Sequence, residues 1–347
     1  MTNAKLIGLS SVQHFLVDGL CICCMFLLMG EYGYHFGAYG DRVGMGAVLV
    51  YNVLAFVSQP LTGMMADRMT VRHWLLIASS LLLTLAVACA SLIPTLMAAS
   101  PNLMSGGLGE WQLIVVAVLL GAGNSLFHVW GGKQTVVKAG NDIRALGMFV
   151  STGALGLAVG FVCRSWGLLY VLLLAIVVVS IVYVRWEGQE ERSFDQSKTY
   201  RKPVPMNPFF SRSWLTPARV WLIVVSLMLF VAYRSFTGEV FSKGITKSQM
   251  LILTIGFVSM LGKMAGGWIA LKMGVLRSLA VVLAGVALCI VFRGDSIMVL
   301  LGGIFLMNCT MPVTLFLAND VLPGREGLAF GLLAAALRPG YLMAVYL

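Results

Sequence analysis

Long apolar runs set the limits on what this chain can fold into. A helix that crosses a lipid bilayer needs about 20 mostly apolar residues. Eleven runs approach that length, at roughly 6–30, 44–66, 73–97, 111–132, 144–163, 166–186, 217–240, 248–270, 276–292, 296–318 and 326–347. They are continuous and rich in Leu, Ala and Met, whereas the strands of a membrane barrel alternate apolar with polar residues. In hydrocarbon every backbone N–H and C=O must be bonded within its own segment, so such runs predict helices. Only 11% of the residues are charged and 59% are hydrophobic. A soluble domain carries roughly a quarter charged residues, and so few charges cannot cover a water-facing surface of this size. The expected fold class is an all-α polytopic membrane protein with about 11 transmembrane helices.

The formal net charge is +10, but it does not imply nucleic acid, because the basic residues sit in short gaps between runs rather than on one stripe. Loops after even-numbered runs carry Arg68, Arg72, Lys133, Lys138, Lys272 and Arg277. The long gap after run six holds Arg185, Arg192, Lys198, Arg201, Lys202, Arg212 and Arg219. Lysine and arginine accumulate on the cytoplasmic side, so the N-terminus is expected to be cytoplasmic, with Lys243 and Lys247 as mild exceptions outside. The expected setting is the bacterial inner membrane. The organisation reads as an N-terminal six-helix bundle at 1–186, a cytoplasmic linker at 187–216 and a C-terminal bundle at 217–347. The first run is too long for a signal peptide and reads as a retained anchor.

The two halves echo each other. GMMADRMTVR, Gly63 to Arg72, parallels GWIALKMGVL, Gly267 to Leu276. A second pair joins Asn124 and Arg144-Ala-Leu-Gly-Met-Phe with Asn308 and Arg325-Glu-Gly-Leu-Ala-Phe. Paired halves around a central linker are a common transporter design. On this pattern the second half lacks a last helix, and a fragment is expected.

GMMADRMTVR also resembles the loop signature between helices two and three of the major facilitator superfamily. Gly63, Asp67, Arg68 and Arg72 match, while Thr70 stands in place of a glycine. Three further stretches are similar to the fosmidomycin-resistance group of that superfamily: His14-Phe-Leu-Val-Asp18, Ser125-Leu-Phe-His128, and Leu322-Pro-Gly-Arg-Glu-Gly-Leu-Ala-Phe-Gly331-Leu. Arg234-Ser235 is similar to some members. The chain departs from the group at Val129 and Trp130, where a proline and an acidic residue are usual, and at Leu271, where the second loop repeat would carry Asp. The resemblance implies a twelve-helix, proton-driven efflux carrier whose helices one, four, seven and ten line a central cavity. It also implies a conformational latch at Gly63, Asp67, Arg68 and Arg72.

Ionisable side chains inside a bilayer are expensive and by default mark a functional pathway. His14 and Asp18 lie four apart on one face of helix one, and Asp18 falls roughly 18 Å into the run. Asp18 either carries a proton or fixes two helices by static hydrogen bonds. Asn124 and His128 repeat the spacing in helix four, with His128 as a second relay, a substrate contact or a structural histidine. Arg234 in helix seven and Arg338 in helix eleven can each bind an anionic group in bidentate fashion or sit in a fixed ion pair. Asn308 completes the set in helix ten. The expected roles are therefore proton coupling at Asp18, His14 and His128, and substrate binding at Asn124, Arg234, Asn308 and Arg338. Gly153, Gly156 and Gly160 look like a glycine-rich antiporter motif without its proline, or serve ordinary helix packing.

The seven cysteines fall in or at the ends of apolar runs and show no metal spacing. No nucleophile elbow, HExxH or phosphate-binding loop appears, so neither an enzyme nor a cofactor or metal is expected. The reading is a monomeric secondary transporter in membrane lipid, exporting a small organic molecule, anionic or drug-like, against protons. Uptake of a metabolite anion by proton symport is the alternative, and a non-transporting sensor is a distant third.

Overall fold

The computed structural model describes residues 2–69, 73–99, 107–196, 208–242, 248–292 and 296–346. Helix is the one regular element among them, with no strand. The helices are α1 (Thr2–Asn52), α2 (Gln59–Arg68), α3 (Trp74–Ala99), α4 (Gly107–Ala139), α5 (Ile143–Val162), α6 (Trp166–Gln196), α7 (Pro217–Ser242), α8 (Gln249–Met273), α9 (Val275–Val291), α10 (Ile297–Val321) and α11 (Glu326–Tyr346). Among the described residues, nine helical stretches are long and apolar enough to cross a membrane, the first of them containing two of the runs, and α9 is a shorter apolar helix.

The first two runs extend much further than their hydropathy indicates. Where a loop is expected between about 31 and 43, the chain stays helical except at Gly37, whose φ of 55° and ψ of −137° are open to glycine alone. The reversal is tight. Gly40 lies against the Tyr32 carbonyl, and a Cβ on Gly44 would stand 2.9 Å from Met29 Cγ. The second limb then passes through a π-helical turn, Val53–Val57, before α2. Such turns widen the helix locally and recur at functional sites. Helix α6 also continues past its expected end to Gln196, into the first part of the expected linker, and 197–207 lie outside the described residues.

Polar caps mark several helix starts. Asp142 accepts from the Arg144 backbone N–H at the start of α5, and Ser248 accepts from Leu251 at the start of α8. Burial works to raise the Asp142 carboxyl, but hydrogen bonds and charge from Arg144 hold it below the usual carboxylate range. Helix α1 packs on α4, α5 and α6, and α3 packs on α4. Helices α8 and α9 pack on α10, and α7 packs on α11. The most extensive seams between the earlier and the later helices are α5 against α8 and α2 against α11, with smaller contacts of α4 on α11 and α5 on α10. A cavity of about 110 Å³ lies between these sets, lined by α1, the π turn, α2, α4 and α5 on one side and by α7, α8, α10 and α11 on the other.

Candidate functional site

Close packing of α1 on α5 builds the site. The Gly153, Gly156 and Gly160 stripe lies directly on α1: a Cβ on Gly156 would overlap the Phe15 carbonyl, and one on Gly160 the Gly19 carbonyl. Small residues let two helix backbones approach in this way. At Gly153 the neighbour is no longer backbone. A Cβ there would stand 2.5 Å from His14 Nε2 and would overlap Asp18 Oδ2.

Asp18 sits between two histidines. Its Oδ2 lies 3.2 Å from His14 Nε2 and its Oδ1 lies 3.3 Å from His128 Nε2. The Asn124 amide donates to the same Oδ1 at 3.3 Å and to the Tyr51 hydroxyl at 3.2 Å. Each imidazole is held from behind, His14 Nδ1 by the Phe149 carbonyl at 2.7 Å and His128 Nδ1 by the Asn124 carbonyl at 2.9 Å. The rings of His14 and His128 meet edge-on, with centroids 4.6 Å apart. All five side chains of this cluster are buried. The i,i+4 pairs expected on helices one and four are thus brought to one point.

Arg234 from α7 and Lys263 from α8 line the same cavity as His14, Asp18 and His128. Arg234 is buried, and its Nη1 has no hydrogen-bond partner. Among the described residues neither cation has a carboxylate within ion-pair distance. Lys263 acts electrostatically on His128 and feels both Asp18 and Arg234. The remaining lining is largely apolar, including Phe56, Met311 and Phe330, with Gln59 and Thr314 adding polar groups.

Three expected substrate contacts, Asn308, Arg338 and Asn124, are not among the residues lining this cavity. The Asn308 amide is taken up by the Ile304 carbonyl at 2.8 Å and Ser259 Oγ at 3.4 Å, in the α8–α10 interface. Arg338 stacks over Tyr341, with its guanidinium carbon 5.0 Å from the ring centre, and Leu337 lines the cavity instead. Asn124 reaches the site by holding Asp18 rather than by facing the cavity.

The expected latch residues Gly63 and Asp67 sit at the α2–α11 seam. Asp67 accepts backbone N–H bonds from Gly327 and Leu328, both at 2.9 Å, at the start of α11. Lys133 lies 3.5 Å from the same carboxylate. Gly63 lies against the Gly327 carbonyl. Arg68 is exposed, and Arg72 lies outside the described residues.

Sequence reasoning missed Lys263 and Tyr51. Lys263 stands inside the apolar run 248–270, where the rule that exposed Asp18 would also have found it. His14, Asp18 and His128 offer three donor atoms within 4.8 Å of one another, close enough to share one metal ion. Two cations lining the same cavity work against a divalent charge there.

A helical membrane bundle with a central cavity between two helix sets, and titratable groups facing it, has the architecture of a secondary carrier. The profile of the Major Facilitator Superfamily matches residues 15–345, and the chain belongs to that family. Among curated proteins no sequence matches significantly. Solved structures share the fold at low identity. FucP in the outward conformation, an E. coli fucose:proton symporter, aligns over 100% of this chain and 91% of its own with a TM-score of 0.63 and 13% identity. The proton:xylose symporter XylE, bound to 6-bromo-6-deoxy-D-glucose, gives 0.63 at 14% identity over 99% of this chain and 88% of its own. A bacterial homologue of the iron transporter ferroportin, outward-facing, gives 0.56 at 15% identity over 98% and 90%.

Proposed function

We propose that this chain is a proton-coupled carrier of a small organic anion, working by alternating access. One observation carries the reading: Arg234 and Lys263, two cations without carboxylate partners, line one cavity with the His14–Asp18–His128 cluster. An arginine buried at membrane depth needs an anion or a water-filled space, and a cavity with two such cations supplies the place for an anionic substrate. Asp18 with its histidines takes up and releases protons. Asn124 holds the carboxylate in position, and Tyr51 in turn holds Asn124. The seam containing Gly63, Asp67 and α11 is the cytoplasmic gate, with the N-terminus on that side.

Charge also bears on direction. Protonating the cluster makes the cavity more positive, which strengthens anion binding, and a bound anion in turn favours protonation. Substrate and proton therefore help each other, as symport requires. Antiport requires them to displace each other. Symport uptake of a metabolite anion is thus the reading favoured by the site. Export is the second reading, and the fosmidomycin-resistance-like stretches at His14–Asp18, Ser125–His128 and Leu322–Gly331 favour it.

The test places the protein in liposomes holding a pH-sensitive dye, with orientation fixed, and adds dicarboxylates, phosphonates and cationic drugs in turn. Symport predicts that one anion class acidifies the lumen as it enters. Alkalinisation of the lumen on entry of the same compound establishes exchange instead. In either case Asp18→Asn should abolish the pH change while leaving energy-independent exchange. A variant that still concentrates substrate would remove Asp18 from the coupling role.

A further inference from the structure

The hydrogen-bond chemistry of the cluster limits how many protons it holds. A carbonyl oxygen can only accept. His14 Nδ1 faces the Phe149 carbonyl at 2.7 Å and His128 Nδ1 faces the Asn124 carbonyl at 2.9 Å, so each Nδ1 carries a proton. The atom left to titrate on each ring is Nε2. Each Nε2 faces its own oxygen of Asp18, at 3.2 Å and 3.3 Å. An Nε2 lone pair against a carboxylate lone pair is repulsive, and a proton between them makes the contact a hydrogen bond.

We propose that the His14–Asp18–His128 cluster is a two-proton site, with one exchangeable proton in each N···O gap, and that the carrier therefore moves two protons per cycle. This rests on the reading of the cluster as the proton-coupling site. Both protons come from water and leave to water, and no bond other than N–H or O–H changes. Whether each proton resides on nitrogen or oxygen, the loaded cluster has a net charge of +1.

The surrounding groups fit that count. From α4 the Asn124 amide donates to Oδ1, and from the second limb of α1 the Tyr51 hydroxyl accepts from the same amide. Cys21 on α1 contacts Asn124 and Tyr51. From α5, Gly153 presents no side chain. Arg234 on α7 and Lys263 on α8 bring positive charge, which opposes the second proton. An anion bound beside them offsets that opposition. Loading of both gaps and binding of the anion are thus coupled, and release of the anion lets both protons leave.

The chain has four histidines. In full-length protein carrying His35→Gln and His73→Gln, 15N-histidine labelling leaves signals from His14 and His128 alone, and the nitrogen shift separates a protonated Nε2 from a lone pair. Across about pH 5 to 8, where imidazoles titrate, both rings should pass between the Nδ1–H neutral form and the doubly protonated form. Both should show Nε2 protonated, or hydrogen-bonded to a protonated Asp18, at the acidic end. Asp18→Asn should leave at most one ring charged. A ring that stays neutral and unbonded at Nε2 throughout, or an Nε2–H neutral form in either ring, overturns the two-proton count. That outcome, with a dye signal still dependent on Asp18, would leave proton coupling standing with a single proton. Two charged rings in a protein that gives no dye signal with any transported compound would instead remove the coupling reading.

Discussion

Gly153 has no side chain and yet shapes the site. A methyl group at this position meets His14 Nε2 at 2.5 Å and overlaps Asp18 Oδ2. His14 cannot rotate away cheaply, because its other nitrogen is tied to Phe149. Gly153→Ala should therefore fold, with an overpacking cost of about 1–3 kcal/mol, yet lose proton-driven accumulation by at least roughly tenfold, since about 1.4 kcal/mol of misplacement is a factor of ten. Thermal denaturation and the liposome dye assay, run side by side, check this; unimpaired accumulation would mean that the cluster tolerates being spread. The i,i+4 spacings made His14, Asp18, Asn124 and His128 legible in the sequence, because an ionisable residue in an apolar run is conspicuous. Gly153 was visible as part of a small-residue stripe, but nothing in the sequence says what stands opposite it. Asn308 shows the same limit. Spacing assigns it to a helix face, and only packing reveals that its amide is satisfied by Ile304 and Ser259.

Among the elements, α11 and α2 are joined by an unusually direct contact. The first backbone N–H groups of a helix lack partners within it, and a carboxylate there both accepts their hydrogen bonds and meets the positive end of the helix dipole. Asp67 supplies that carboxylate from another helix, to Gly327 and Leu328. The contact exists only while α2 and α11 are together, so it stabilises one conformation and not its opposite. Asp67→Asn should weaken the closed seam by about 1–2 kcal/mol, which moves the equilibrium roughly tenfold toward the state open at this end. Spin labels on the exposed positions Arg68 and Arg325 would report the change as growth of a longer-distance population. An unchanged distance distribution would mean that the hydrogen bonds are incidental to the gate. The loop pattern was readable in advance from Gly63, Asp67 and Arg68. Its partner was not, because the pairing joins positions some 260 residues apart in sequence.

At the scale of the whole molecule, hydropathy located the spans well and their ends poorly. Apolar run length reflects the thickness of hydrocarbon, but a helix can continue into water wherever its backbone bonds are kept. Hence the first two spans continue to a single reversal at Gly37, and α6 extends to Gln196. What no run reveals is which seams open. Alternating access predicts that the α5–α8 seam separates once in each cycle. One end of that seam holds a pocket of about 350 Å³ lined by Met148 and Met264, beside Arg144 stacked 5.2 Å from the Trp268 ring. A flexible, reducible cross-linker between Met148→Cys and Met264→Cys, in a background without Cys89, Cys163 and Cys289, should stop transport nearly completely. Reductant should restore it. The cross-linked protein should still show the paired histidine signals of the loaded cluster, because the seam is joined in the conformation where both N···O gaps are closed. Continued transport in the cross-linked state would mean that these two helices move together, and that substrate crosses by a route other than the rocking of one helix set against the other.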